Sequence, residues 1–227
     1  PEDIARIQEL VAQEPVVLAD GHHRFETAIA YRDERRAAGI VDDADDAVMC
    51  LVVELTDEQL WVQPIHRLLD GVSSPTGLRL KLGERFRIVD ATANTPEAVG
   101  RMMTKIRTEG GVALVDGEGL ARLVPDADDL EAARGTIEPE LGDVPSAWFD
   151  AVAGDALTGL DITYRHDAHA IAAMVEARTV DAAILLAPVT VDQIRAAAKA
   201  RVRMPQKTTF FAPKPRTGLV FRSLDEA

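Results

Sequence analysis

Asp20, Gly21, His22, His23 and Arg24 stand together in VVLADGHHRFETAIAYRDERR (16–36), between an apolar run and a run with helical spacing. A strand that passes through a glycine turn into a helix presents unpaired backbone N–H groups and the positive end of the helix dipole, which is the outline of an anion site. The backbone at Gly21 opens the site, His22, His23 and Arg24 add side-chain donors beside it, and a guanidinium forks onto phosphate or carboxylate oxygens. Asp20 and His22 are the candidates for acid–base work. The plain alternative makes Asp20 a helix cap and the histidines ordinary core or surface residues. Three consecutive donors at one helix start weigh against it.

Glu26 follows His22 by four residues and His23 by three, so a helix can turn two of these toward one ion. A complete transition-metal site needs a further ligand, from Asp20, His66 or His166. A nucleotide-borne magnesium asks less, one or two carboxylates.

Other stretches repeat the theme. PIHRLL carries His66 and Arg67 just after a strand that Pro64 breaks, and TYRHDAHA places His166 and His169 at a helix start. The closing MPQKTTFFAPKPR gathers Lys207, Thr208, Thr209, Lys214 and Arg216 on a backbone restricted by prolines. In a chain of net charge -13, a rigid basic segment bearing hydroxyls points to an anionic guest. A solvated basic face is its bland alternative.

These residues need elements to position them. Apolar spacing predicts a helix over 2–13, a short buried strand at VVLA, and a helix from about His22 to Ala38 that Asp20 caps and Gly39 ends. Phe25, Ala28, Ile29 and Arg32 share the face of that helix expected to pack inward. AVMCLVVEL (47–55) reads as a central strand with Cys50 buried in it, and DDADD (42–46) as a solvated loop. Helices are expected over 96–109, 166–177 and TVDQIRAAAKA. A hairpin turns on DGEG, and strands are expected at GERFRIVDA, DAAILLAPV, about 208–212 and 218–222. Strands and helices intermix without strict alternation, so the fold class is α+β, a mixed sheet with helices packed on it. The division expected is a motif-bearing part, 1–94, and a second α+β part, 95–227, that returns with the basic segment.

Composition narrows the classes. The chain has 227 residues and 47% hydrophobic content, enough for a substantial core. Its acidic balance works against duplex DNA as a partner. One cysteine forms no internal disulfide and fits a reducing, cytoplasmic setting. No apolar run approaches the roughly 18 residues that cross a bilayer. The phosphate-loop pattern G-x-x-x-x-G-K-[ST] and the serine elbow G-x-S-x-G are both missing, and GEGLAR lacks the third glycine and the setting of a dinucleotide fingerprint.

LADGHHRFETA, PIHRLL and MPQKTTFFAPKPRTGLV resemble, in order, the characteristic stretches of the bacterial and archaeal family called domain of unknown function 1015. The resemblance implies a longer protein with an N-terminal region that this chain lacks, in accord with Pro1 at the first position. DGHHR is also similar to the DGH-x-R element of the ParB/sulfiredoxin-like superfamily, which includes ADP-dependent free serine kinases. There the turn lies at the nucleotide phosphates. Carried over by position, this implies phosphate contacts for Asp20, Gly21, His22 and Arg24, with His23 standing where those kinases have threonine. No residue here matches their proposed catalytic glutamate.

The expectation is a small-molecule phosphotransferase or nucleotide hydrolase using magnesium with ADP or ATP. Asp20 and His22 would act in catalysis, and Gly21, His23, Arg24, His66, Arg67, Lys207, Thr208 and Lys214 would bind phosphate or nucleotide. The alternative is a regulatory module that binds a small anionic ligand or nucleotide without chemistry. A ParB-like DNA-partition protein shares the element but meets the acidic surface.

Overall fold

Segments that are apolar at every position, such as VALV (112–115) and AAIL (182–185), need cover on both faces of a sheet. In the computed structural model, which describes residues 2–13, 15–214, 216 and 218–221, both segments are strands of one sheet. In chain order the elements are α1 (Glu2–Ala12), α2 (His22–Ala37), β1 (Trp61–Pro64), β2 (His66–Asp70), α3 (Pro75–Gly83), β3 (Phe86–Thr92), α4 (Pro96–Glu109), β4 (Val112–Asp116), β5 (Gly119–Pro125), α5 (Ala127–Arg134), α6 (Pro145–Ala153), β6 (Asp161–Arg165), α7 (Ala168–Glu176), β7 (Ala182–Leu185), α8 (Val191–Ala200) and β8 (Thr209–Ala212). The fold class is α+β.

The chain divides into two compact units. One comprises Pro1–Val53 with Pro213–Ala227, the other Glu54–Ala212. This differs from the division at 94/95 expected from sequence, because β2 and β3, which precede that point, share a sheet with four strands that follow it.

The sheet of the second unit runs β3-β5-β4-β7-β2-β6, and all its ladders are antiparallel. Side chains alternate across a strand, so β4 sends Ala113 and Val115 to one side and Val112 and Leu114 to the other. The first side packs under α4 and α7 through Val99, Met102, Ile171 and Val175. The second packs under α3 and α6 through Leu78, Leu82, Phe149 and Val152. A separate ribbon pairs β1 with β8, and Val62 and Phe211 from it join Val189 and Ile194 in a third cluster. Pro64 ends β1, and the chain resumes as β2 after Ile65.

Caps follow the sequence closely here. Thr95, Asp167 and Thr190 each accept a first-turn amide of α4, α7 and α8, and Thr190 with Gln193 completes a reciprocal capping box. The β4–β5 turn is fixed by a fork, Arg79 onto the buried Asp116 at 2.7 and 2.8 Å.

The first unit departs most from expectation. VVLA and AVMCLVVEL are not strands, since no ladder among the described residues takes up their backbone groups. Val16, Val17, Leu18, Val48, Met49, Leu51, Val52 and Val53 are exposed, and so is Cys50, which was expected in a core. No residue of α2 is buried; Ala28 and Arg32 of its apolar face are half-buried, while Phe25 and Ile29 are exposed. DDADD is more than a loop. It forms a 3-10 turn capped by Asp42, and Arg35 and Arg36 from the end of α2 bind Asp45 and Asp46 at 2.6 and 2.7 Å. Gly39, at φ 79, follows the end of α2 as expected, with its amide on the Arg36 carbonyl. Of the strand expected at 218–222, residues 218–221 are not strand and Arg222 lies outside the described residues.

Phe149 is fully buried, 5.8 Å from Phe86 and 6.3 Å from Trp148 between ring centroids. Phe149→Ala should lower the stability of the chain by about 3–5 kcal/mol. Equilibrium denaturation in urea reads it out as a lower midpoint.

Candidate functional site

A helix that begins without a side-chain cap leaves first-turn amides for something else to satisfy. That is the condition of α2. Its N-cap residue is Gly21, at φ 85 and ψ 26, and no side chain caps it. The left-handed conformation explains the residue choice, since a side chain there is strained. A Cβ at Gly21 would also lie 2.8 Å from an Arg24 guanidinium nitrogen, so the arginine folds back over the turn.

Asp20 was expected to cap α2. Instead its carboxylate faces two cations. Lys214 Nζ donates to Asp20 Oδ2 at 2.7 Å, across 194 positions of sequence, and Arg24 Nη2 lies 3.6 Å from the same oxygen. The Lys214 hydrogen bond holds the Asp20 carboxyl below its ordinary pKa, aided by the Gly21 amide and by Arg24 and opposed by partial burial. Asp20 is therefore ionised at neutral pH. All these residues belong to the first unit, so the opening motif meets Lys214 of the basic segment at this point.

The neighbouring side chains are open to solvent. His22 is half-buried, and His23 Nδ1 lies 3.3 Å from Glu26 Oε2 with both groups largely exposed. Glu26, the expected metal ligand, thus sits beside one histidine of the motif. Among the described residues there is no group of three or more histidine, cysteine or acidic side chains arranged to hold a metal.

The second unit holds the other candidates, and it uses most of them internally. Arg67 was expected to bind phosphate, but it is buried and three of its nitrogens are engaged. Nε and Nη2 bind Asp150 at 3.1 and 2.7 Å, and Nη1 donates to the Ile65 carbonyl at 3.1 Å. A guanidinium buried and held this way is turned inward, away from solvent. Thr208 is also buried; its hydroxyl donates to the Pro205 carbonyl at 2.7 Å and therefore accepts from Ser146 at 2.8 Å. Lys207 is exposed, at φ 58.

His66 is fully buried, and its Nδ1 accepts the Leu186 amide at 3.0 Å. A ring nitrogen that accepts carries no proton, so the proton of the neutral ring sits on Nε2. That N–H is buried without a partner among the described residues. Burial, reinforced by Arg67 and His166, pushes the His66 pKa down to about 4. His66, expected to bind phosphate or nucleotide, is thus a buried neutral donor. Nearby, His166 stacks on Phe210 at 4.1 Å.

Sequence reasoning missed Asp150, which occupies Arg67, and the Leu186 amide, which sets the His66 tautomer. They lie 83 and 120 positions away from their partners, and nothing local to either motif signals them.

Comparison with known proteins places the chain. Residues 1–142 match the family model described as "Protein of unknown function (DUF1015)". The chain belongs to this family. The match includes the DGHHR and PIHRLL stretches. None of the curated proteins matches. Among solved structures, a conserved hypothetical protein from Pyrococcus furiosus is similar at 13% identity and a TM-score of 0.47, over 86% of this chain and 68% of that one. A free serine kinase in complex with AMP is similar at 14% identity and a TM-score of 0.45, over 86% of this chain and 66% of its own. A variant of that kinase in complex with ADP gives the same identity, coverage and TM-score. No helix among the described residues of this family member is long and apolar enough to cross a membrane.

The buried, neutral His66 has a consequence in acid. Its folded pKa, about 4, lies below the ordinary 6.5, so the unfolded chain takes up this proton first as pH falls. The stability that a neutral His66 contributes is complete above pH 6.5 and is lost as pH drops from there toward 4. The loss amounts to about 3 kcal/mol. His66→Gln, compared with the parent by urea denaturation at pH 7.5 and 4.5, should flatten this part of the pH dependence.

Proposed function

We propose that this chain binds the phosphoryl groups of a nucleotide at the Asp20–Arg24 turn and transfers one to a small hydroxyl-bearing acceptor. The observation that carries the reading is the uncapped start of α2, where Arg24 and Lys214 converge on Asp20. Helix-start amides and two cations in one place form a preorganised positive site, which stabilises the charge that develops on transferring phosphoryl oxygens.

Roles follow from position. The amides of His22 and His23 and the Arg24 guanidinium hold the phosphoryl oxygens, and Lys214 closes over them. The acceptor oxygen attacks phosphorus as the bond to the leaving nucleotide oxygen breaks. The hydroxyl proton passes to Asp20, ionised and next to the amides, while His22 donates to a phosphate oxygen. Asp20 would offer one carboxylate to a magnesium ion carried by the nucleotide, and that ion would supply neutralisation of phosphate charge. The reading does not draw on His66, Arg67, Lys207 or Thr208. A reducing, cytoplasmic compartment suits a chain whose single thiol, Cys50, is exposed.

A second reading is a regulatory module that binds the same ligand without chemistry. It is favoured by the state of Asp20, whose carboxylate is already engaged by Lys214 and Arg24. A third, DNA binding, meets the net charge of -13.

The test is incubation of the chain with ADP or ATP, magnesium and a panel of hydroxyl acceptors that includes serine, followed by mass spectrometry for phosphorylated product. Transfer is expected, falling about 100-fold or more in Asp20→Asn, which removes the proton acceptor. Arg24→Ala should weaken nucleotide binding as read by calorimetry. Binding without turnover selects the regulatory module; neither binding nor turnover removes both readings.

A further inference from the structure

Two cations placed for an anionic ligand repel one another and the helix start beside them, unless something holds the charge while the ligand is away. Asp20 does so. Its carboxylate sits against both Lys214 and Arg24, at 2.7 and 3.6 Å, where the reading above places phosphoryl oxygens. Lys214 arrives on a separate, late segment directly after Pro213, 194 positions from Asp20. The carboxylate and ammonium are both partly exposed, at 47% and 39%. A pair so exposed is screened by solvent and contributes little, so a ligand can displace it. A phosphate carries more negative charge than a carboxylate and more acceptor oxygens, so it competes well for the same lysine.

We propose that the segment bearing Lys214 is a strap, latched in the free protein by Asp20 as an internal substitute for the ligand, and that an arriving phosphoryl group takes Lys214 over from Asp20. The inference rests on the phosphoryl-site reading and extends it to how the site opens and closes. It also settles an apparent conflict within that reading: Asp20, occupied before the ligand arrives, is released by the exchange and only then becomes available to a proton.

The latch makes Asp20 a competitor of the ligand, so removing its charge strengthens binding. ADP serves as the probe, titrated by calorimetry into the whole chain without magnesium. Asp20→Asn should bind it about two- to fivefold more tightly than the parent, and Lys214→Gln more weakly. In the Lys214→Gln background, Asp20→Asn should have lost most of its effect. Hydrogen–deuterium exchange without ligand gives an independent reading: the peptide carrying Lys214 should exchange faster in Asp20→Asn. Weaker ADP binding by Asp20→Asn overturns the latch, because Asp20 would then be helping the ligand. Unchanged exchange in that variant, with ADP binding intact, also overturns it and leaves the phosphoryl site standing. Failure of ADP to bind parent and variants alike removes the phosphoryl site and the exchange of partners together.

Discussion

The amides that open a helix must find an acceptor, and at α2 no side chain supplies one. Everything proposed for the first unit depends on that. Gly21, in a left-handed conformation, makes the turn into the helix so tight that Asp20 points elsewhere, toward Lys214 and Arg24. With Asp20 as the cap, the amides and the two cations would serve separate purposes. Because it is not, donors of three kinds (backbone, guanidinium and ammonium) share one small region. Substituting Gly21 would strain the backbone and push into Arg24 as well.

The second unit obeys a different constraint. Its sheet is covered on both faces, so the middle strands are apolar at every position and polar chemistry is pushed to the strand ends. β2 shows the effect. Leu68 and Leu69 go one to each core cluster, while His66 and Arg67, at the start of the strand, are buried without reaching solvent. A buried guanidinium must be paired, and Asp150 pairs it. A buried imidazole avoids charge, and His66 stays neutral with one nitrogen on the Leu186 amide.

How much of this was legible in sequence varies with the range of the interactions. Caps are local, so Thr95 and Thr190 could be read, and the break at Pro64 and the DGEG hairpin were plain. The α+β class followed from the mixture of periods. The misses are long-range. AVMCLVVEL has the composition of a central strand, yet a strand exists only where a partner takes its hydrogen bonds, and composition says nothing of partners. Cys50 was judged buried for the same reason. The Asp20 cap failed because a glycine directly after an aspartate offers two ways to start a helix, and the choice depends on what else draws the carboxylate. Here that is a lysine 194 positions away.

The two His–Arg pairs make the point sharpest. His22–His23–Arg24 and His66–Arg67 look alike as text, and both suggest donors for an anion. Context separates them. At the start of a helix with no cap, the histidines and arginine stand beside solvent and beside a second cation, where they remain available. At the start of a strand between two others, the same residue types are enclosed, and enclosure forces each to settle its charge inside the protein: Arg67 by pairing, His66 by giving up its proton. A basic dipeptide therefore says little about ligands until its burial is known. The exposed pair keeps its donors beside solvent, where a ligand can reach them.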